Sequence, residues 1–193
     1  GNFTDNLRSG SADIPHEHAE KEKRCSKMSK LVHVEHGKIP PVFDEHSTVL
    51  ILGTMPSPKS REAGFFYGHP QNRFWPVLSA LFGEPVPEEA AQRRDFALRH
   101  RIALWDVLAQ CDIEGAADSA IKNPVPNDIA ALLRGSEIRA VFTAGKAAMR
   151  LYKRLCEPMG CPPAMELPST SPANARLRLD DLVAAYRAIL EYL

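Results

Sequence analysis

The sequence predicts an α/β fold, a three-layer sandwich with a central, mostly parallel four-stranded sheet covered by helices on both faces. Two observations carry this. Short apolar runs of strand length, at residues 48–52, 102–108, 138–143 and 164–167, alternate with longer stretches of helical periodicity. Strands separated by helices pair in parallel and need cover on both sides. With 193 residues, of which 44% are hydrophobic, the chain is long enough for one domain with a substantial core.

The elements follow in order. Residues 1–30 are polar, charged and non-periodic, and read as a disordered leader or extension, leaving a single domain over 31–193. Ser47 introduces the run 48–52, β-branched and apolar, which stops at Gly53 as a buried parallel strand does. Phe74, Trp75, Leu78, Leu81 and Phe82 give residues 72–82 helical spacing, and a second helix is expected over 88–100 after the Pro85-Val86-Pro87 turn. Residues 102–108 read as a strand. The polar stretch 112–126, ending Asn123-Pro124-Val125-Pro126, reads as a loop. A short helix (128–134), a strand (138–143), a helix (146–156) and a short strand (164–167) follow. Leu179, Leu182, Val183, Tyr186, Ile189, Leu190 and Leu193 form one stripe, which predicts an amphipathic helix in 175–193.

Composition excludes several classes. No apolar run approaches the length of a membrane span, and the first hydrophobic stretch is too short for a secretory signal, so a cytoplasmic protein is the default. Lys plus Arg and Asp plus Glu each number 24, a neutral balance that argues against a protein coating nucleic acid without specificity. Arg93, Arg94, Arg99 and Arg101, and Lys146, Arg150, Lys153 and Arg154, read as solvated helix faces. Cys25, Cys111, Cys156 and Cys161 have irregular spacing without a CxxC, which favours ordinary thiols over a disulfide framework or an iron–sulfur cluster. The scattered histidines imply no metal site, and no cofactor is indicated.

In such a sheet a ligand sits beyond the carboxyl ends of the strands. The segments to read are therefore 53–72, 106–126 and 168–174. Gly53-Thr54-Met55-Pro56-Ser57-Pro58 makes a rigid turn after the first strand, either a plain connection or one that offers backbone groups to a ligand. Gly64-Phe65-Phe66-Tyr67-Gly68-His69-Pro70-Gln71-Asn72-Arg73-Phe74-Trp75 sets three aromatics between glycines. Either some of them seal the core or one presents a face on which a base can stack. Asn72 is either an N-cap for the following helix or a polar group of a site. Gly145-Lys146 follows a strand but lacks the rest of a P-loop.

The string 53–78, together with Leu167-Pro168-Ser169-Thr170-Ser171-Pro172-Ala173-Asn174, resembles the two motif regions of the uracil-DNA glycosylase superfamily, in particular its hypoxanthine-DNA glycosylase (DNA-deoxyinosine glycosylase) branch. The resemblance implies a monofunctional enzyme of base excision repair, acting as a monomer on damaged DNA without cofactor. A deaminated base, hypoxanthine before uracil, is flipped into a pocket. Water attacks C1′ of an oxocarbenium-like sugar, and the base leaves as an anion stabilised by hydrogen-bond donors. By position Tyr67 would stack on the base, with Phe66 the alternative, and Gly53, Thr54, Met55 and Pro56 would surround it; His69 would donate to the base or to a phosphate, or else is a structural His before Pro70. Ser57, Ser169, Thr170 and Ser171 would contact DNA, the three hydroxyls standing at a helix start. Lys122, with Asp118, Ser119 and Asn123, would contact the base edge or the DNA backbone from the middle loop; read without the resemblance they are ordinary loop residues.

Two positions depart from the superfamily pattern. Met55 stands where other branches carry Asp or Asn to orient water, and a thioether is a poor acceptor. Leu167 stands where many branches carry His. The first departure moves the catalytic assignment to Asn72, as in the hypoxanthine branch. An amide orients water without deprotonating it, which suffices if bond breaking is dissociative. Both departures also motivate the opposite expectation, a catalytically silent DNA- or nucleotide-binding module on the same fold.

Overall fold

The structure, a computed structural model, describes residues 31–114 and 120–193. The predicted leader, Asp118 and Ser119 lie outside the described residues.

Strand β2 (Val49–Gly53) is buried at all five positions. It pairs in parallel with β3 (Ile102–Asp106), Val49 opposite Ile102 and Gly53 opposite Asp106. On its other side it pairs with β6 (Ala140–Ala144), and β6 in turn pairs with β7 (Met165–Leu167), again in parallel. The order β3-β2-β6-β7 is the expected four-stranded parallel sheet. Its three layers follow from the pleat, which sends alternate side chains to opposite faces. Val49, Ile51, Ile102, Leu104 and Phe142 pack with Phe74, Trp75 and Leu78 of α2 (Phe74–Phe82), Phe96 of α3 (Ala90–Arg99) and Leu182 and Tyr186 of α6 (Leu179–Tyr186). Leu50, Leu52, Ala103 and Val141 pack the other way, against Leu132 of α4 (Ile129–Arg134) and Leu151 and Tyr152 of α5 (Lys146–Leu155). Cys111, Cys156 and Cys161 are buried in this second layer, and burial pushes the Cys156 thiol up to about 12, which keeps it protonated and unreactive.

Three expectations need correction. The polar stretch 112–126 is largely strand: β4 (Leu108–Glu114) and β5 (Ile121–Pro126) pair antiparallel. With β1 (Leu31–Glu35), also unpredicted, they form a second sheet in the order β1-β4-β5. The two prolines that suggested a loop are tolerated because β5 is an edge strand and need not donate on its outer side. A short helix, α1 (Pro58–Ala63), grows out of the first motif's turn, with Ser57 as its N-cap. The C-terminal stripe is not one helix. After α6 the chain tightens into a 3₁₀ helix over Arg187–Tyr192. There Tyr186, Ile189 and Tyr192 recur every three residues, the 3₁₀ repeat, and Ile189 is fully buried. No helix among the described residues is long and apolar enough to cross a membrane.

Candidate active site

The carboxyl ends of β2, β3 and β6 open onto one pocket of about 180 Å³. It is small beside the roughly 300–1,000 Å³ typical of ligand clefts, a size for one ring system rather than a whole nucleotide. Gly53 to Ser57 form one wall, Tyr67 and Asn72 another, Ser169 to Ser171 a third, with Phe66, Asp106 and Ala144 completing it. The two motif loops, about a hundred residues apart in sequence, thus meet around a single space.

Short-range hydroxyl chemistry shapes the first loop. Ser57 Oγ accepts the Ser60 N–H at 3.1 Å and donates to Ser60 Oγ at 3.0 Å. Ser60 Oγ in turn accepts the Gly68 N–H at 3.0 Å, closing the turn. Phe65 and Phe66 are buried, their rings edge to face, and the Phe66 carbonyl accepts the Trp75 indole N–H at 3.1 Å. These two aromatics seal the core. Tyr67 differs. Its backbone sits at φ 53°, uncommon for a residue with a side chain. Its ring stacks on Phe74 at 3.8 Å between centroids, 14° from parallel. Its hydroxyl is buried without a hydrogen-bond partner. Burial pushes that phenol far above its ordinary range, so it remains a neutral donor.

Asn72 does two things at once. Its Oδ1 accepts the Phe74 N–H at 2.9 Å, from the position before α2's N-cap Arg73, and the Thr170 hydroxyl at 2.8 Å, tying the second motif to the first. Both partners are donors, so the amide orientation is fixed and Oδ1 is saturated. The Nδ2 group is what remains for the pocket. The N-cap reading of Asn72 needs correction: the N-cap of α2 is Arg73, and Asn72, one residue earlier, braces the first helical N–H.

The second loop, 168–174, does not start a helix, contrary to expectation; α6 begins only at Leu179. The short side chains instead fold the loop on itself. Ser169 Oγ accepts the Ser171 N–H, Ser171 Oγ accepts the Ala173 N–H, and Asn174 Nδ2 donates to the Ser169 carbonyl. Thr170 is buried, while Ser169 and Ser171 are partly exposed at the rim. Leu167 is core, and Met55 packs on the apolar cluster beneath the pocket.

Two expected residues stand elsewhere. His69 is outside the pocket lining, its Nδ1 accepting the Gln71 N–H at 3.0 Å. Lys122 lies on exposed β5, paired with Glu114 at 2.8 Å. Asn123 beside it, at φ 49°, donates to Asp112.

Three residues went unread in the sequence. Arg73 threads its guanidinium into the second loop and donates to the carbonyls of Leu177, Ser171 (3.2 Å) and Asn174 (2.8 Å), while its own N–H reaches the Thr170 carbonyl. Arg73→Met keeps the stem and removes the fork. It is expected to cost about 2–3 kcal/mol, read as a lower urea midpoint at unchanged slope. Asp106, at the end of β3, is buried against the pocket, and His36 Nε2 stands 2.8 Å from its Oδ2. Burial pushes the Asp106 carboxyl up, and the hydrogen bond from His36 opposes that rise. A lone charge closing an apolar strand was the one available signal for Asp106. No motif surrounds His36. Among the described residues no group of His, Cys, Asp and Glu is placed to hold a metal ion.

Known proteins resemble this chain in sequence and in fold. The model of the uracil DNA glycosylase superfamily matches residues 40–193. Proteins named hypoxanthine DNA glycosylase, from Methanosarcina acetivorans and Methanosarcina barkeri, are each 36% identical over 139 residues, covering 71% of this chain and 87% of theirs. A solution NMR structure from Methanosarcina acetivorans, described as a uracil DNA glycosylase, superposes with a TM-score of 0.62 at 33% identity, covering 79% of this chain and 96% of that one. The chain belongs to the uracil DNA glycosylase superfamily.

Proposed function

We propose that the chain is a monofunctional DNA glycosylase that removes deaminated bases from DNA, hypoxanthine first and uracil second. The observation that carries this is the junction of the two motif loops, Thr170 Oγ1 to Asn72 Oδ1 at 2.8 Å, around a base-sized pocket. The relatives named for hypoxanthine excision support the choice of base. Damaged DNA is the partner, contacted at the rim by Ser57, Ser169 and Ser171.

A flipped base would stack on the face of Tyr67 that Phe74 leaves free, since Phe66 is committed to the core. Asn72 is the catalytic amide. With Oδ1 saturated it acts through Nδ2, which donates to the oxygen of the attacking water, occupies one lone pair and leaves the other directed at C1′. Placement rather than deprotonation is what a dissociative bond cleavage needs.

The test uses oligonucleotides carrying one deoxyinosine or one deoxyuridine, followed by alkali. Strand breaks are expected with both, faster with deoxyinosine. No breaks with either would sink the enzymatic reading. Met55 and Leu167, apolar where the pattern of other superfamily branches is polar, favour a second reading, a silent binding module, which would show lesion binding without product.

A further inference from the structure

Asn72 takes its two hydrogen bonds from different parts of the chain. The Phe74 N–H comes from the start of the adjoining helix, two residues on, and the Thr170 hydroxyl from the second loop, 98 residues away. The terminal torsion of an asparagine is broad, so the first bond alone leaves the amide free to twist. A second donor, from another element, fixes the plane of the amide and with it the direction of Nδ2.

Ser169, Thr170 and Ser171 carry the same hydroxyl chemistry but not the same exposure. Thr170 is 2% exposed, whereas both serines are partly exposed at the rim of the pocket. Consecutive hydroxyls thus look opposite ways, the serines outward to where DNA is taken and the threonine inward onto the amide. A side chain covered to that degree has almost no surface to give a DNA backbone.

The loop has no helix or strand of its own to hold Thr170 there, since β7 ends at Leu167 and α6 begins at Leu179. It is held from outside. The Tyr186 hydroxyl donates to the Pro168 carbonyl at 3.0 Å. The Arg73 N–H donates to the Thr170 carbonyl at 3.1 Å, and the Arg73 guanidinium to the carbonyls of Ser171, Asn174 and Leu177. A guanidinium fork spent on three neutral carbonyls fixes backbone shape, because its five donors are rigidly placed. Arg73 follows Asn72 directly, so the residue beside the amide places the hydroxyl that orients it.

We propose that Thr170 is the positioning residue of Asn72 and that Arg73 acts through Thr170, so that the loop which takes the DNA also sets the plane of the catalytic amide. The proposal rests on the glycosylase reading above, with Asn72 as its catalytic amide.

Single-turnover excision of deoxyinosine from a duplex, measured over a range of enzyme excess, gives the maximal rate and the half-saturating concentration separately. Thr170→Val keeps the shape and removes the donor. Its maximal rate is expected to fall on the order of 10-fold, the scale of a misplaced group, with half-saturation unchanged. Thr170→Ser restores the hydroxyl and should recover most of the rate. Arg73→Met should lower the maximal rate as well, and adding Thr170→Val to it should then cost little more, because both act through one contact. A parent-like maximal rate in Thr170→Val overturns the proposal. So does a loss confined to half-saturation, which makes Thr170 a DNA contact, and so does a Thr170→Ser as slow as Thr170→Val, which assigns the effect to packing. Factors that multiply in the double variant overturn the role of Arg73. If Arg73→Met fails to fold by circular dichroism, the two Thr170 variants decide. Asn72→Asp separates this proposal from the reading beneath it. A parent-like Asn72→Asp removes the catalytic amide and the positioning with it, whereas a slow Asn72→Asp beside a parent-like Thr170→Val removes the positioning alone. A parent that excises neither hypoxanthine nor uracil overturns the glycosylase reading and this proposal together.

Discussion

Asn72→Asp is expected to lower the single-turnover rate of deoxyinosine excision at least about 100-fold while leaving the fold in place, the scale of losing one preorganised donor. The substitution is nearly isosteric. An aspartate oxygen can still accept the Phe74 N–H and the Thr170 hydroxyl, so the bond to the start of α2 and the link between the loops survive. What changes is the group facing the pocket. A donor becomes an acceptor, and a negative charge is set where the base must depart as an anion. Asn72→Ala confounds these effects, because it also strands the Phe74 N–H and the buried Thr170 hydroxyl. It should cost about 1–2 kcal/mol of stability in addition to activity. Thermal melts of both variants, with excision and anisotropy on a deoxyinosine duplex, separate the two. Parent-like excision by Asn72→Asp would remove Asn72 from the chemistry and leave it a structural link between α2 and the second loop.

The pair of variants is informative because Asn72 joins two parts of the chain that a local reading treats separately. The parallel sheet was legible because its strands are buried on both faces and so are written as unbroken apolar runs; β2 is the plainest case. The second sheet was not. Four of the five residues of β1 are exposed, and β5 carries two prolines at an edge, so neither shows apolar alternation. The two motif loops were legible because each is a local string with its own turn chemistry. Their mutual contacts were not: Arg73 reaches carbonyls 98 to 104 residues away, and His36 meets Asp106 across 70 residues. A one-dimensional pattern holds no record of such pairings. The helix wrongly expected at Ser169 to Ser171 has the same origin. Short hydroxyls between prolines suit a cap and a self-bonded turn equally, and only the clamp by Arg73 selects the turn.

Gly53→Ala should be the most damaging single methyl in the pocket. Gly53 lies opposite Asp106 in the β2–β3 pair, and its carbonyl accepts the Val107 N–H at 2.8 Å, so its backbone has no room to retreat. A Cβ there would stand 2.4 Å from Asp106 Oδ1, closer than real contacts allow. The carboxylate cannot swing aside without leaving His36, and the strand cannot move without breaking its register. Overpacking of this kind costs about 1–3 kcal/mol. Because the displaced group lines the base pocket, excision of deoxyinosine should fall by more than the stability loss implies, on the order of 100-fold. Gly135→Ala is the control: the nearest atom to its added Cβ is 3.6 Å away, ordinary contact, and it should stay within about 0.5 kcal/mol of the parent with full activity. Urea titrations alongside single-turnover excision read both quantities. If Gly53→Ala is destabilised but cleaves at the parent rate under conditions where it remains folded, the base does not seat against the Gly53–Asp106 wall. If it is both stable and active, the close packing of that wall is itself wrong.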